Sequence, residues 1–290
     1  MASKIKKLIR KIRKNFLGKN KKVALVLGSG GSRGLSHIGV LKQLKKHQIP
    51  VDMIVGCSIG SVVGSIYALK QDPTYLEEIS EKLGKKTTLK FFSIGNIAKS
   101  LLKQDKIKDL LHDILGEATF KDVKIPISIV ATEFNSGEPV TLQSGKLLDC
   151  VMASSAIPGV YPPYKIGKHL YIDGGVINPT PIDIAANNGA DIIIAIDLSA
   201  KPQTHIAKPS LLECLSRTYE VNMFHLTQLR LRTINEFQNK TRVFLVQPNV
   251  KGNIDYYKAK EYIKAGEESI EPCIEGIKKE LRHKKSIFTK

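Results

Sequence analysis

The stretch GCSIG, residues 56 to 60, sets a serine two positions from a glycine on either side, after the apolar run from Met53 and before a helical pattern from Gly60 to Lys70. This pattern suits a nucleophilic serine. On a sharp strand-to-helix turn its hydroxyl stands clear of the backbone, and small flanking residues let the turn close. Ser58 is the candidate nucleophile, although glycine-rich turns with a serine also occur without chemistry. Such a serine needs a base and donors for a developing oxyanion. The histidines after it, His112, His169, His205, His225 and His283, have no glycine turn or strand end beside them, and each reads as a surface or satisfied histidine. A distinctive acid stands in YIDGG, residues 171 to 175, where Asp173 ends a short apolar strand and Gly174 and Gly175 let the backbone approach another loop. Asp-Gly is equally a common β-turn signal. Cys57 reads as a small buried residue, because adjacent positions around an elbow point in different directions.

A second glycine cluster follows the apolar run Val23 to Leu27. Gly28, Gly30 and Gly34 are spaced G-x-G-x-x-x-G, with Arg33 where a dinucleotide fingerprint has its third glycine. Asp52, the nearest candidate for a ribose, begins a strand, whereas that role needs a carboxylate at a strand's C-terminal end. No Gly-Lys-Ser/Thr follows, so a phosphate loop of the Walker type also fails. A non-catalytic or nucleotide-binding α/β protein, with the Gly28 to Gly34 loop around a phosphate, stays open as the rival to a hydrolase.

The elements that would position these residues alternate. Strands are predicted at Val23 to Leu27, Met53 to Gly56, Ile125 to Thr132, Ile192 to Asp197 and Val243 to Val246. Helices are predicted at Ser36 to His47, Gly60 to Lys70, Tyr75 to Leu83, Ile107 to Leu115, Ile182 to Asn187, residues 207 to 240 and Tyr256 to Leu281. This order predicts a three-layer α/β/α sandwich with a mostly parallel central sheet. The longest uncharged stretch, Met53 to Leu69, carries Gly56, Gly60 and Gly64 and reads as strand plus helix, not as a membrane span.

Of the net charge of +18, residues 1 to 22 supply ten Lys or Arg and no acid. The expected partition is a basic N-terminal arm, 1–22, and one domain, 23–290. Four cysteines without CxxC pairing argue for a reducing compartment, and no apolar run near the N-terminus is long enough for a signal-peptide core. No Asp, Glu or His cluster has metal-ligand spacing, so neither a metal nor a cofactor is expected.

Three features together, GSGGSRG (Gly28 to Gly34), GCSIG (Gly56 to Gly60) and DGG (Asp173 to Gly175), resemble the glycine-rich oxyanion loop, nucleophile elbow and Asp-Gly-Gly box of the patatin-like phospholipases in order and spacing. The likeness continues through LSHIGVL (35–41), ATEFNSGEPV (131–140) and ASSAIPGVYPPY (153–164). Ser29 departs from the pattern, since many members have glycine there. The resemblance implies a Ser58–Asp173 dyad without histidine, in which Asp173 takes the Ser58 proton and then activates water. It also implies an oxyanion hole of backbone N–H groups around Gly30, Gly31 and Ser32. Arg33 stabilises charge or binds a lipid phosphate in one reading and holds the loop through a salt bridge in the other. The implied activity is hydrolysis of fatty-acyl esters of phospholipids or lysophospholipids.

In the arm, Ile5, Leu8, Ile9, Ile12 and Phe16 fall at helical spacing, an apolar stripe among lysines and arginines that suits an anionic membrane. It also suits a nucleic-acid phosphate backbone, a disordered tail or a targeting peptide. With a lipase-like body the membrane is the expected partner and no nucleic acid is expected. The chain is then cytoplasmic, peripheral on the inner face of a membrane.

Overall fold

Strand β1 (Val23–Leu27) is made of five apolar residues, all buried, which requires cover on both of its faces. The chain then runs through α1 (Ser36–Lys46), β2 (Met53–Cys57), α2 (Ile59–Lys70), α3 (Pro73–Thr87), α4 (Ile97–Leu115), β3 (Ile127–Glu133), β4 (Pro139–Leu142), α5 (Leu147–Ser154), β5 (Tyr164–Ile166) and β6 (His169–Asp173). It continues through α6 (Ile182–Asn187), β7 (Ile192–Ile196), α7 (Leu211–Phe237), β8 (Arg242–Val246) and α8 (Ala259–Arg282). The structure, a computed structural model, describes residues 21–87, 97–199, 209–237, 241–250 and 258–282. Residues 1–20 of the predicted arm, His205 and His283 lie outside them.

The strands form one eight-stranded sheet in the order β5-β6-β3-β2-β1-β7-β8, with β4 also on β3. The five strands from β3 to β8 are parallel, and β4, β5 and β6 join antiparallel. Alternation along β1 feeds two cores. Val23, Leu25 and Leu27 pack with Ile38 and Leu41 of α1 and Ile263 and Ile270 of α8, while Ala24 and Val26 pack with Ile182 and Ala185 of α6. Helices therefore cover both sides, and the predicted α/β/α sandwich is the observed one.

The sequence pattern does not predict β4, β5 or α5. Strand β4 is a short, half-exposed edge opening on a proline, and β5 has three residues. In α5 every residue but Asp149 is buried, so it lacks the polar face that marks an amphipathic helix.

Strand β3 sets two of its neighbours end to end. Val130 of β3 pairs with Cys57 of β2 and with Thr141 of β4, and the next residue, Ala131, pairs with Val140 of β4 and with Asp173 of β6. Since β4 occupies one edge of β3 throughout, β2 and β6 share the other edge and meet there. The chain beyond Cys57 and the end of β6 are thereby set beside each other.

Behind the sheet, α1 and α8 cross at two glycines. A Cβ on Gly39 would lie 1.9 Å from the Ile263 carbonyl oxygen, and one on Gly266 would lie 2.0 Å from that of Ser36. Both obstacles are backbone and cannot swing aside. Gly39→Ala is expected to force the helices apart at a cost of about 1–3 kcal/mol and to lower the melting temperature by about 5 °C. A melting temperature equal to that of the wild type would show that the crossing has room for a methyl group.

Candidate active site

Ser58 is the single residue between β2 and α2, with φ 54° and ψ −124°. A side chain in that region costs roughly 1–3 kcal/mol and persists only where its surroundings hold it. Here they do. A Cβ on Gly60 would lie 1.9 Å from the Leu27 carbonyl oxygen, and one on Gly56 would lie 2.7 Å from that of Gly60, so the turn is pressed against the end of β1. The Ser58 N–H donates to Ser154 Oγ at 2.8 Å, and the Ser154 hydroxyl donates to the Val130 carbonyl at 2.6 Å. The Ser58 carbonyl accepts from the Ser61 N–H and hydroxyl at 2.8 and 2.6 Å.

Asp173 ends β6, and its side chain is wholly buried. Ser58 Oγ donates to Asp173 Oδ2 at 2.6 Å, and the Gly175 N–H donates to Oδ1 at 2.7 Å. The Asp-Gly pair does not form a hairpin turn: Gly174–Val176 is one turn of 3-10 helix. A Cβ on Gly174 would lie 2.3 Å from the Val130 carbonyl oxygen, which explains that glycine. Burial pushes the Asp173 carboxyl up to about 6, opposed by hydrogen bonding from Ser58 and Gly175 and by the nearby Tyr219 hydroxyl.

The glycine loop lies against both. The Gly28 N–H donates to the Ile196 carbonyl at 3.1 Å and the Ser29 N–H to that of Pro179 at 2.8 Å, tying the loop to the ends of β7 and the segment after Asp173. A Cβ on Gly30 would lie 2.6 Å from that of Leu198, and one on Gly34 would lie 2.3 Å from the Ile59 side chain next to Ser58. Gly31 has φ 58° and opens a 3-10 turn, Gly31–Leu35. The first N–H groups of such a turn have no acceptor inside it and point out of its end. Ser32 is buried in the same turn. Arg33 Nε donates to the Gly30 carbonyl at 3.2 Å, and among the described residues Arg33 makes no ion pair. The arginine braces the loop through its backbone.

The fold thus gathers Gly28, Gly30, Gly31, Ser32, Arg33, Gly34, Gly56, Ser58, Gly60, Asp173, Gly174 and Gly175 at the C-terminal ends of β1, β2 and β6, where open α/β sheets bind ligands. Cys57 is buried, and burial together with the Asp173 charge pushes its thiol well up, so it is no thiolate. Among the described residues the Ser58 hydroxyl bonds Asp173 and no histidine; His112 and His169 face Glu117 and Glu133, and His225 is exposed on α7.

Three residues of the site receive no role from the sequence pattern, although His37 and Ser154 lie within the LSHIGVL and ASSAIPGVYPPY stretches of the family likeness. Ser154 ends an apolar helix. His37 sits in α1 with Nε2 2.9 Å from the Gly28 carbonyl, and burial lowers its pKa to about 4, so it is a neutral ring under the loop. Tyr219 reads as one more helical residue of α7.

The family model described as patatin-like phospholipase matches residues 25–186. An uncharacterized NTE family protein of Mycobacterium tuberculosis is 36% identical over 181 residues, 61% of this chain and 49% of that protein. Human patatin-like phospholipase domain-containing protein 6 is 33% identical over 190 residues, 64% of this chain and 14% of that protein. The chain therefore spans about half the length of the mycobacterial relative and a small part of the human one. The crystal structure of VipD from Legionella pneumophila shares the fold with a TM-score of 0.52 at 13% identity, over 89% of this chain and 67% of that one.

The raised Asp173 pKa bears on stability. A carboxyl that holds its proton more tightly folded than unfolded stabilises the fold below its unfolded value near 4, and that contribution is lost as pH rises through 6. Asp173→Asn keeps the shape and never ionises. The variant is expected to be more stable than the wild type at pH 8, by an amount on the order of 2–3 kcal/mol, with the difference vanishing below pH 4. Urea unfolding at the two pH values measures it, and a variant less stable at pH 8 would contradict the assignment.

Proposed function

The chain belongs to the patatin-like phospholipase family, and from that premise we propose that it is a serine acyl hydrolase cleaving fatty-acyl esters of phospholipids or lysophospholipids at a membrane surface. Ser58 Oγ attacks the acyl carbonyl as its proton passes to Asp173 Oδ2. The developing oxyanion is met by backbone N–H groups around Gly30, Gly31 and Ser32, with the Arg33 charge close behind, and each such donor is worth roughly 3 kcal/mol in the transition state. Collapse expels the alcohol, which takes the proton back from Asp173. Water then enters, gives its proton to Asp173 and attacks the acyl carbonyl; the bond to Ser58 Oγ breaks, Oγ takes the proton back from Asp173, and the fatty acid leaves.

The observation that carries this reading is the 2.6 Å hydrogen bond from Ser58 to a fully buried carboxylate whose pKa stands at about 6. Such a carboxylate is ionised at neutral pH and yet is a far better base than an ordinary aspartate. The phosphate-binding rival is disfavoured by the loop's own packing. Gly28, Gly30 and Gly34 face protein atoms within 3 Å of where a side chain would begin, so they serve close packing and not an open cradle.

The arm's ten Lys or Arg and the helical spacing of Ile5, Leu8, Ile9, Ile12 and Phe16 support the membrane half of the reading. The arm's last residues belong to the body: Lys21 pairs with Glu280 at 2.6 Å and the Lys22 N–H bonds Asp191 at 2.9 Å. Residue 22 stands at the N-terminal end of β1, the end away from Ser58. Among the described residues no helix is long and apolar enough to cross a membrane.

Two outcomes are expected. With a soluble ester, Ser58→Ala and Asp173→Asn each lose about 10²-fold or more, and the double variant is little worse, because the pair acts as a unit. Either single variant retaining a tenth of the wild-type rate would sink the dyad. With anionic vesicles, deletion of residues 1–20 leaves turnover of the soluble ester unchanged while vesicle hydrolysis falls, and wild-type binding weakens with salt, since each basic residue contributes up to about 1 kcal/mol at such a surface. Equal vesicle binding by the full and truncated chains at low salt would reassign the arm.

A further inference from the structure

Helix α7 is fastened along one face to the segment that follows Asp173. Asn222 Nδ2 donates to the Val176 carbonyl at 2.9 Å, the Thr227 and Thr180 hydroxyls meet at 3.3 Å, and Arg230 donates to Asp183 at 2.7 Å and to the Ile177 carbonyl at 3.0 Å. One turn before Asn222 the helix carries Tyr219, whose hydroxyl is buried. A Cβ on Gly175 would lie 2.4 Å from that hydroxyl, 2.9 Å from Ser29 Oγ and 3.0 Å from Asp173 Oδ1. The missing side chain of Gly175 is thus the space in which a phenol, a serine hydroxyl and the carboxylate converge. Ser29, the position that departs from the family pattern, has its hydroxyl in this cluster. The phenol completes a well-shaped hydrogen bond with neither neighbour, yet both bear on its ionisation. Hydrogen bonds of catalytic groups are often long in free enzymes and tighten on the way to the transition state.

We infer that Tyr219, backed by Ser29, is a positioning residue that donates to the Oδ1 side of Asp173, joins Gly175 there, and holds the carboxylate in the charged form that faces Ser58. The inference rests on the dyad proposed above for its consequence in catalysis, but not for its geometry. A buried carboxylate left to desolvation alone keeps its proton at neutral pH and accepts none. Ser58 and Gly175 donate to Asp173 and work against its burial, and the Tyr219 phenol beside Oδ1 acts in the same direction. Tyr219 suits the task because burial and the Asp173 charge push the phenol well above its ordinary value, so it stays a neutral donor. The other groups near the carboxylate leave it this role. Cys57 on β2 is held as a thiol, Arg230 on α7 is committed to Asp183, Thr132 on β3 donates to the Asp173 backbone carbonyl, and Ser154 on α5 donates to Val130.

The test tracks the Asp173 carboxyl itself by carbon NMR in protein labelled at aspartate, with the signal assigned by its loss in Asp173→Asn. Tyr219→Phe is expected to raise the Asp173 midpoint by about one pH unit, while Tyr164→Phe, which removes a phenol bonded to Asp149, leaves it in place. Site-specific 3-fluorotyrosine at 219, a stronger donor of the same shape, should lower the midpoint, and it keeps the test sound if the phenylalanine variant folds poorly. An unmoved midpoint in both proteins overturns the inference, whatever the activity does. The pH dependence of Ser58 labelling by a soluble fluorophosphonate separates the two readings. Labelling that tracks the shifted midpoint supports both, whereas a shifted midpoint with unmoved labelling upholds Tyr219 and sinks the dyad.

Discussion

A carboxylate shut away from water is expensive, and the rest of this site is arranged around keeping one. Asp173 is completely buried, and its burial is compensated by donors from the turn after β2 and from the segment following Asp173 itself, with the Tyr219 phenol of α7 close by as the third donor inferred above. The hydroxyl of Ser58 is one of those donors, so in the proposed mechanism the group that tempers the charge is also the group the charge activates. That double use explains why the serine tolerates a strained backbone. Its 2.6 Å bond to Asp173, its N–H to Ser154 and its carbonyl to Ser61 fix it from three directions.

The sheet makes this pairing possible at long range. Ser58 and Asp173 are 115 residues apart, and they meet because β2 and β6 abut on one edge of β3, with Cys57 and Asp173 opposite successive residues of that strand. The glycines serve the same end. Gly60 lets the elbow press on β1, Gly174 lets the segment after Asp173 press on β3, and Gly34 lets the glycine loop press on the residue after Ser58. Each removes a side chain where two backbones or loops must share space, and the result is a site assembled by close packing of strand ends.

Much of this is legible in the residues because the demands are local. Five buried apolar residues in β1, the glycines two positions from Ser58, and the pair after Asp173 each express a backbone or burial requirement within a few residues, and each shows in its pattern. The parallel core of the sheet is implied by the alternation of runs such as Val23 to Leu27 and Ile192 to Ile196 with helical segments. What stays hidden depends on partners far away. Strands β4 and β5 are too short and too exposed to leave an apolar run, and α5 is too evenly buried to show a face. Ser154, His37 and Tyr219 gain meaning only from the Ser58 N–H, the Gly28 carbonyl and the Asp173 carboxylate that the fold sets against them.

The central claim is that Ser58 becomes acylated with Asp173 as its base, and it can be read directly by acid quenching the protein during turnover of a soluble ester and mapping the acyl group by peptide mass spectrometry. The account predicts the acyl group on Ser58, formed at a rate that rises as pH passes through about 6, and no acyl peptide from Asp173→Asn. An acyl group on Cys57, or full turnover with no acylated residue, would contradict it.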